Sequence, residues 1–274
     1  NRMRMDPTDI SDVTAAAYTF LVNGQSPRES WTGLFRPGER VRLRIINAAA
    51  QTTFNLRIPG LAMTVVAADG IDVQPVEVDE FQIGNAETYD VVVRPAAQAY
   101  SLIAESIDRS GMGVATLAPR AGMRAAVPPL RERPTLTMKD MGMDHSAGHG
   151  AGANGAAMED GTMDHAAMGH PMPKAPREAA AADHSGMDMR DESRVDFPMG
   201  VGVDMIAPMP VDRVGDPGLG LDDVGHRVLT YRDLVALQPG PGHRPPTRMI
   251  EIHLTGNMER FMWSFDGEKF SEGV

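Results

Sequence analysis

Between residues 138 and 189 the chain gathers the two side chains best suited to holding a soft metal ion. Nine Met fall there: Met138, Met141, Met143, Met158, Met163, Met168, Met172, Met187 and Met189. Five of the chain's eight His join them: His145, His149, His165, His170 and His184. A loose unit recurs as Met143-Asp144-His145-Ser146, Met163-Asp164-His165-Ala166 and Ala182-Asp183-His184-Ser185, each followed closely by a further Met or His. A thioether is soft and neutral and suits Cu(I), whereas imidazole serves Cu(I) and Cu(II) alike. The Asp beside each His can raise imidazole basicity or lend an oxygen to the oxidised ion. Zinc fits poorly, since thioethers are weak zinc ligands and the chain has no Cys. The pool of copper-ligating candidates is Met141, Met143, His145, His149, Met158, Met163, His165, Met168, His170, Met172, His184, Met187 and Met189.

Two plainer readings stand beside this one. Met also fills gaps in cores, but residues 137–194 contain no Leu, Ile, Val, Phe, Tyr or Trp to pack against. A low-complexity spacer accounts for the Ala and Gly, though not for Met and His rising together.

The elements that must position this segment read as strands. Residues 41–45 alternate apolar and charged side chains, as a strand with one buried face does. Apolar runs at 19–22, 54–58, 63–67, 76–83, 89–93 and 100–104 lie at the spacing of an all-β sandwich or barrel. Asn23-Gly24 and Pro37-Gly38 supply turns. Residues 1–135 form the first expected domain. The Met/His-rich stretch 136–195 buries too little apolar surface to offset chain entropy and is expected to be a disordered linker. Residues 196–274 are expected to begin a second domain: an irregular stretch from 199 to 225, a short helix at 231–237 ended by Pro239-Gly240, then strands at 249–254 and 261–265 with a turn at Asp266-Gly267. The chain opens without an initiator Met or an export segment and closes before a second sandwich is complete, so it is expected to be a fragment.

Composition removes several function classes. The 274 residues carry 26 Lys+Arg against 37 Asp+Glu, a formal charge of −11 that argues against a nucleic-acid backbone binder. Without Cys there is no disulfide framework, thiol nucleophile or thiolate metal site. No apolar run approaches a membrane span. A blue-copper site needs two His and a Cys, and residues 1–144 contain neither type. The first domain therefore reads as structural, or as a surface for partners. His253, beside Glu251 by strand alternation, reads as a solvated or packed strand residue, and His226 and His243 as structural loop residues. No GxSxG, HExxH, P-loop or strand-linked GxGxxG occurs. The Gly218/Gly220 loop is a weak phosphate-binding signal, and Glu77/Asp79 and Asp222/Asp223 read as solvated pairs more than acid/base dyads.

Four stretches then carry a resemblance. They are Phe20-Leu21-Val22-Asn23-Gly24, Trp31-Thr32-Gly33-Leu34-Phe35-Arg36-Pro37-Gly38-Glu39, Pro59-Gly60-Leu61 running to Asp69-Gly70, and His253-Leu254-Thr255-Gly256-Asn257-Met258-Glu259-Arg260 with Trp263-Ser264-Phe265-Asp266-Gly267. With the Met/His stretch between them, they resemble the periplasmic copper-resistance multicopper oxidases of the CopA/PcoA type. The resemblance implies cupredoxin-like Greek-key domains: here a middle domain without copper ligands, a copper-binding insert and the start of a last domain. The family's His-x-His, His-x-x-His-x-His and His-Cys-His motifs are absent, so no catalytic residue carries over. It further implies copper as cofactor, O2 reduced to water by the full-length enzyme, Cu(I) as substrate with phenols as a second class, periplasmic location and copper-binding protein partners there. The competing reading is a non-enzymatic copper-sequestering protein that displays a Met-rich tether on structural β domains.

Overall fold

A computed structural model of the chain describes residues 7–137, 139–141, 193, 195–196, 199–203, 212–238, 247–257, 262–269 and 271. The chain divides into two compact units, one of residues 1–140 with 212–248 and one of 141–211 with 249–274.

The first unit is an all-β sandwich. One sheet runs β1 (Trp31–Leu34), β9 (Met112–Ala118), β8 (Tyr100–Ser106), β3 (Phe54–Arg57), β6 (Glu80–Ile83), and the other β2 (Val41–Ile46), β7 (Thr88–Val93), β4 (Met63–Ala68), β5 (Ile71–Val78). Connections cross between the sheets as in a Greek key, with β1 parallel to β9 and the other strand pairs antiparallel. Alternation sets the buried face: Met63, Val65 and Ala67 of β4 and Tyr89, Val91 and Val93 of β7 point inward while their neighbours face out. Phe81 lies fully buried against Tyr89, ring centroids 4.9 Å apart. Pro75 sits in β5, an outer strand of its sheet, where a missing N–H costs least.

An extended segment closes one side of the sandwich. The Asp79 N–H donates to the Arg227 carbonyl (2.9 Å) and Leu229 N–H to Glu80 (2.9 Å), both at β6. Further along, Gln74 N–H donates to Val235 (2.7 Å) and Leu237 N–H to Asp72 (2.8 Å), both at β5. Leu229 and Leu234 reach the core between the sheets. These contacts explain why 212–248 belongs to the first unit, although sequence alone had placed it in a second domain starting at 196. They also explain why the helix expected at 231–237 is only the 3-10 turn Tyr231–Asp233: Thr230 and Asp233 form a capping box, after which residues 235–237 pair with β5.

Other sequence expectations shift locally. The run 76–83 splits at Asp79 into β5 and β6, which belong to different sheets. Residues 19–22 form only a Val22–Gln25 bridge across the Asn23-Gly24 turn, where φ is +48° and +76°.

In the second unit β10 (Leu254–Asn257), β11 (Met262–Phe265) and β12 (Glu268–Lys269) make a three-stranded antiparallel sheet. The Asp266-Gly267 turn, with both φ positive, joins β11 to β12 and fixes that register. The strand expected at 249–254 instead starts at Leu254, because residues 249–253 have no strand partner among the described residues. Gly202 lies against this sheet: a Cβ there would stand 2.6 Å from the Ser264 hydroxyl, which donates to the Gly202 carbonyl.

Candidate functional site

Of the copper-ligating candidates, only Met141 falls within the described backbone, at the end of the 3-10 turn Lys139–Met141. Met143, His145, His149, Met158, Met163, His165, Met168, His170, Met172, His184, Met187 and Met189 lie outside the described residues. What the structure does describe is the neck where this segment leaves and rejoins the first unit. Arg213 Nη1 donates to Asp140 Oδ1 (2.6 Å) and Arg213 Nε to Asp216 Oδ2 (3.0 Å), while Lys139 Nζ lies 2.7 Å from Asp216. The Thr137 N–H and hydroxyl both donate to Asp140 Oδ2 at 2.7 Å. Burial alone would raise the Asp140 carboxyl, but the Thr137 and Arg213 hydrogen bonds outweigh it and hold it below the usual carboxylate range.

The neck is part-exposed, so its contribution is modest. Arg213→Ala is expected to cost about 0.5–1 kcal/mol of first-unit stability, read as a urea midpoint. Because the folded Asp140 value is depressed, that contribution is present above the ordinary carboxylate pKa and lost as pH falls through the lowered one. A midpoint unchanged by the substitution at pH 7 would count against the neck as a stabilising element.

The densest chemistry in the described residues is a buried charge lattice that sequence reading missed. Glu80 and Glu105 have no solvent exposure. Arg131 grips Glu80 with a two-pronged fork (Nη2–Oε1 2.6 Å, Nη1–Oε2 3.0 Å) and donates through Nε to Glu105 Oε2 (2.6 Å). Its own N–H adds a bond to Glu105 Oε1 (2.9 Å). Arg57 reaches Glu105 at 3.0 Å and Glu80 at 3.6 Å. His226 Nε2 lies within hydrogen-bond distance of Glu80 Oε2, at 2.7 Å. Burial would raise Glu105, but the Arg131 amide and the Arg57 and Arg131 guanidinium bonds lower it below its ordinary value. Arg109, with φ +59° in the hairpin between β8 and β9, sends its guanidinium to the Leu219 and Gly220 carbonyls.

This lattice ties the segments around 131 and 219–229 to β3, β6 and β8. Both carboxylates in it face guanidinium groups, so the cluster is built as charge pairing inside the sandwich. His253 lies just before β10, its ring 3.0 Å from Glu251 and 3.1 Å from Asp266. No group of three or more His, Cys, Asp or Glu among the described residues is arranged to hold a metal ion. Nor is any helix among them long and apolar enough to cross a membrane.

Residues 3–127 match the sequence profile of the multicopper oxidase family. The chain is 48% identical to copper resistance protein A of Escherichia coli, over 99% of this chain and 47% of that protein. It is 49% identical to the copper resistance protein A homolog of Pseudomonas syringae pv. tomato, over 99% and 46%. Multicopper oxidase MmcO of Mycobacterium tuberculosis aligns at 41% identity over 38% of this chain and 20% of that protein. Residues 3–127 are thus similar to the multicopper oxidases. Along nearly its whole length the chain is similar to the copper resistance proteins, and it spans about half the length of those relatives.

The donor set explains what these residues can hold. The first unit has no Cys and, up to residue 137, no His, so neither a blue-copper nor a trinuclear donor set can be assembled in its sandwich. The residues present do not fit the family's catalytic copper centres. The Met/His stretch, in contrast, carries thioether and imidazole groups.

Proposed function

We propose that this chain forms the middle of a periplasmic copper-resistance multicopper oxidase, which oxidises Cu(I), and phenols as well, with O2 reduced to water. The catalytic coppers would be held by residues outside these 274. Periplasmic copper-binding proteins would deliver its metal. The first β unit, residues 1–140 with 212–248, serves as a scaffold without copper ligands, and the Met/His insert between 141 and 211 binds copper and concentrates it near the enzyme. The single observation that carries this reading is the joint enrichment of Met and His in a stretch without Leu, Ile or Val, beside a segment that matches the multicopper oxidase profile. The neck supports it by bringing the two ends of that stretch together on a rigid sandwich.

The test is Cu(I) competition against a chromophoric chelator, comparing the chain with a variant lacking residues 142–189. Binding by the parent that the deletion abolishes is the expected result. Equal binding by both would overturn the insert's role. Recovering the full-length protein separates oxidase from sequestration: O2 consumption with Cu(I) supports the former, and Cu(I) binding without O2 consumption the latter.

A further inference from the structure

Among the described residues, backbone pairing closes one side of the sandwich. Its β5 and β6 edges are bonded by the extended segment 226–237, which drives Leu229 and Leu234 between the sheets. On the opposite side β2 and β1 are the outer strands, and among the described residues no backbone hydrogen bond reaches the outer edge of β2. Between β2 and the inner face of the other sheet lies an apolar groove of about 810 Å³, floored by Trp31, Phe54, Leu56, Leu102 and Leu117, with residues 19–24 along part of its wall. Leu43 and Ile45 point inward but are only half-buried, unlike their counterparts on β4 and β7. At the rim, Arg42 and Arg44 share one carboxylate, Asp90, at 2.6 and 3.5 Å, and the Arg44 side chain is 76% exposed.

We propose that this groove docks an extended segment of the full-length protein from outside these 274 residues, carrying apolar residues at alternate positions and a carboxylate facing Arg44. The closing segment 226–237 shows the form such an occupant takes: backbone bonds to an edge, with side chains filling the gap between sheets. Charge selects the occupant. A second copy pairing β2 with β2 in antiparallel register would set Arg42 and Arg44 against one another, a like-charge contact that edges use to prevent pairing. The missing partner is available in length, since the chain spans about half of its curated relatives, and a covalently linked segment binds at high effective concentration.

Amide hydrogen exchange on the full-length protein and on the 274-residue chain tests this. Expected is exchange at 41–46 slowed by about tenfold or more in the full-length protein, with β5 unchanged. Arg44→Glu in the full-length protein removes that protection while β7 amides keep theirs, which certifies the fold; Ile46→Glu, at an exposed position beside the groove, does the same. Equal exchange at 41–46 in both proteins overturns the proposal. So does protection that Arg44→Glu leaves intact, and so does protection in the 274-residue chain that rises with its own concentration, the mark of a second copy.

Discussion

Arg131→Ala is expected to destabilise the first β unit by about 3–5 kcal/mol, because it leaves buried carboxylates short of their main cation. Glu80 and Glu105 are wholly buried, and Arg131 supplies the fork on one and two bonds to the other. Arg57 and Arg109 remain nearby, at 3.0 Å and 3.7 Å from Glu105, but neither can take the fork's place on Glu80. A loss of this size lowers the melting temperature by roughly 8–15 °C for a unit of this length. Arg131→Lys keeps the charge without the planar fork and is expected to fall between the two. The pH dependence has a definite sign. Glu105 is depressed in the folded state, so its stabilisation is present above the ordinary carboxylate pKa and lost as pH falls through the lowered one. The gap between parent and Arg131→Ala therefore narrows on acidification below about pH 4. Urea midpoints at pH 7 and pH 3.5 check both points; an Arg131→Ala loss under 1 kcal/mol at pH 7 would show that the lattice does not carry the fold.

That lattice shows where sequence reading stops. Strand alternation at 41–45 is visible because burial writes itself with period 2, and 63–67 and 89–93 stand out as short apolar runs. Turn residues Asn23-Gly24 and Asp266-Gly267 are equally legible, since positive φ restricts residue choice. Glu80 and Glu105 leave no such trace. Each sits in a strand as one acidic letter, and only the approach of Arg131 from 26 and 51 positions away turns it into a buried anchor. The visible signal is Glu105 directly after Leu102-Ile103-Ala104, a charge that must find a partner if that strand is internal. The same distance effect hid the return of 226–237: nothing in its local pattern tells that its partners are Asp72, Gln74, Asp79 and Glu80 across the Met/His stretch. The candidate copper ligands, by contrast, were read entirely from composition, because soft-donor chemistry needs residue types before it needs geometry.

The second large effect separates the insert from the fold that carries it. Replacing residues 142–211 with a short Gly/Ser linker is expected to leave first-unit stability within about 1 kcal/mol, since loop length enters closure entropy only logarithmically and the neck already holds Asp140 against Arg213. Ending the chain at Met141 instead removes 212–248 with the insert, and is expected to cost at least about 4 kcal/mol. That estimate counts the buried Leu229, whose loss leaves a cavity, and the lost His226 hydrogen bond to the buried Glu80 carboxylate. It also bares the β5 and β6 edges, so the truncated chain should aggregate where the linker variant stays monomeric. Denaturation followed at Trp31 in a Trp263→Phe background, with light scattering beside it, distinguishes the two variants. If the linker variant falls with the truncated one, the Met/His stretch is part of the scaffold, and copper binding lost on its deletion could not be assigned to its ligands. If only the truncated chain falls, residues 1–140 and 212–248 form one folding unit, and the insert is an excursion from it that can carry ligands at no cost to the sandwich.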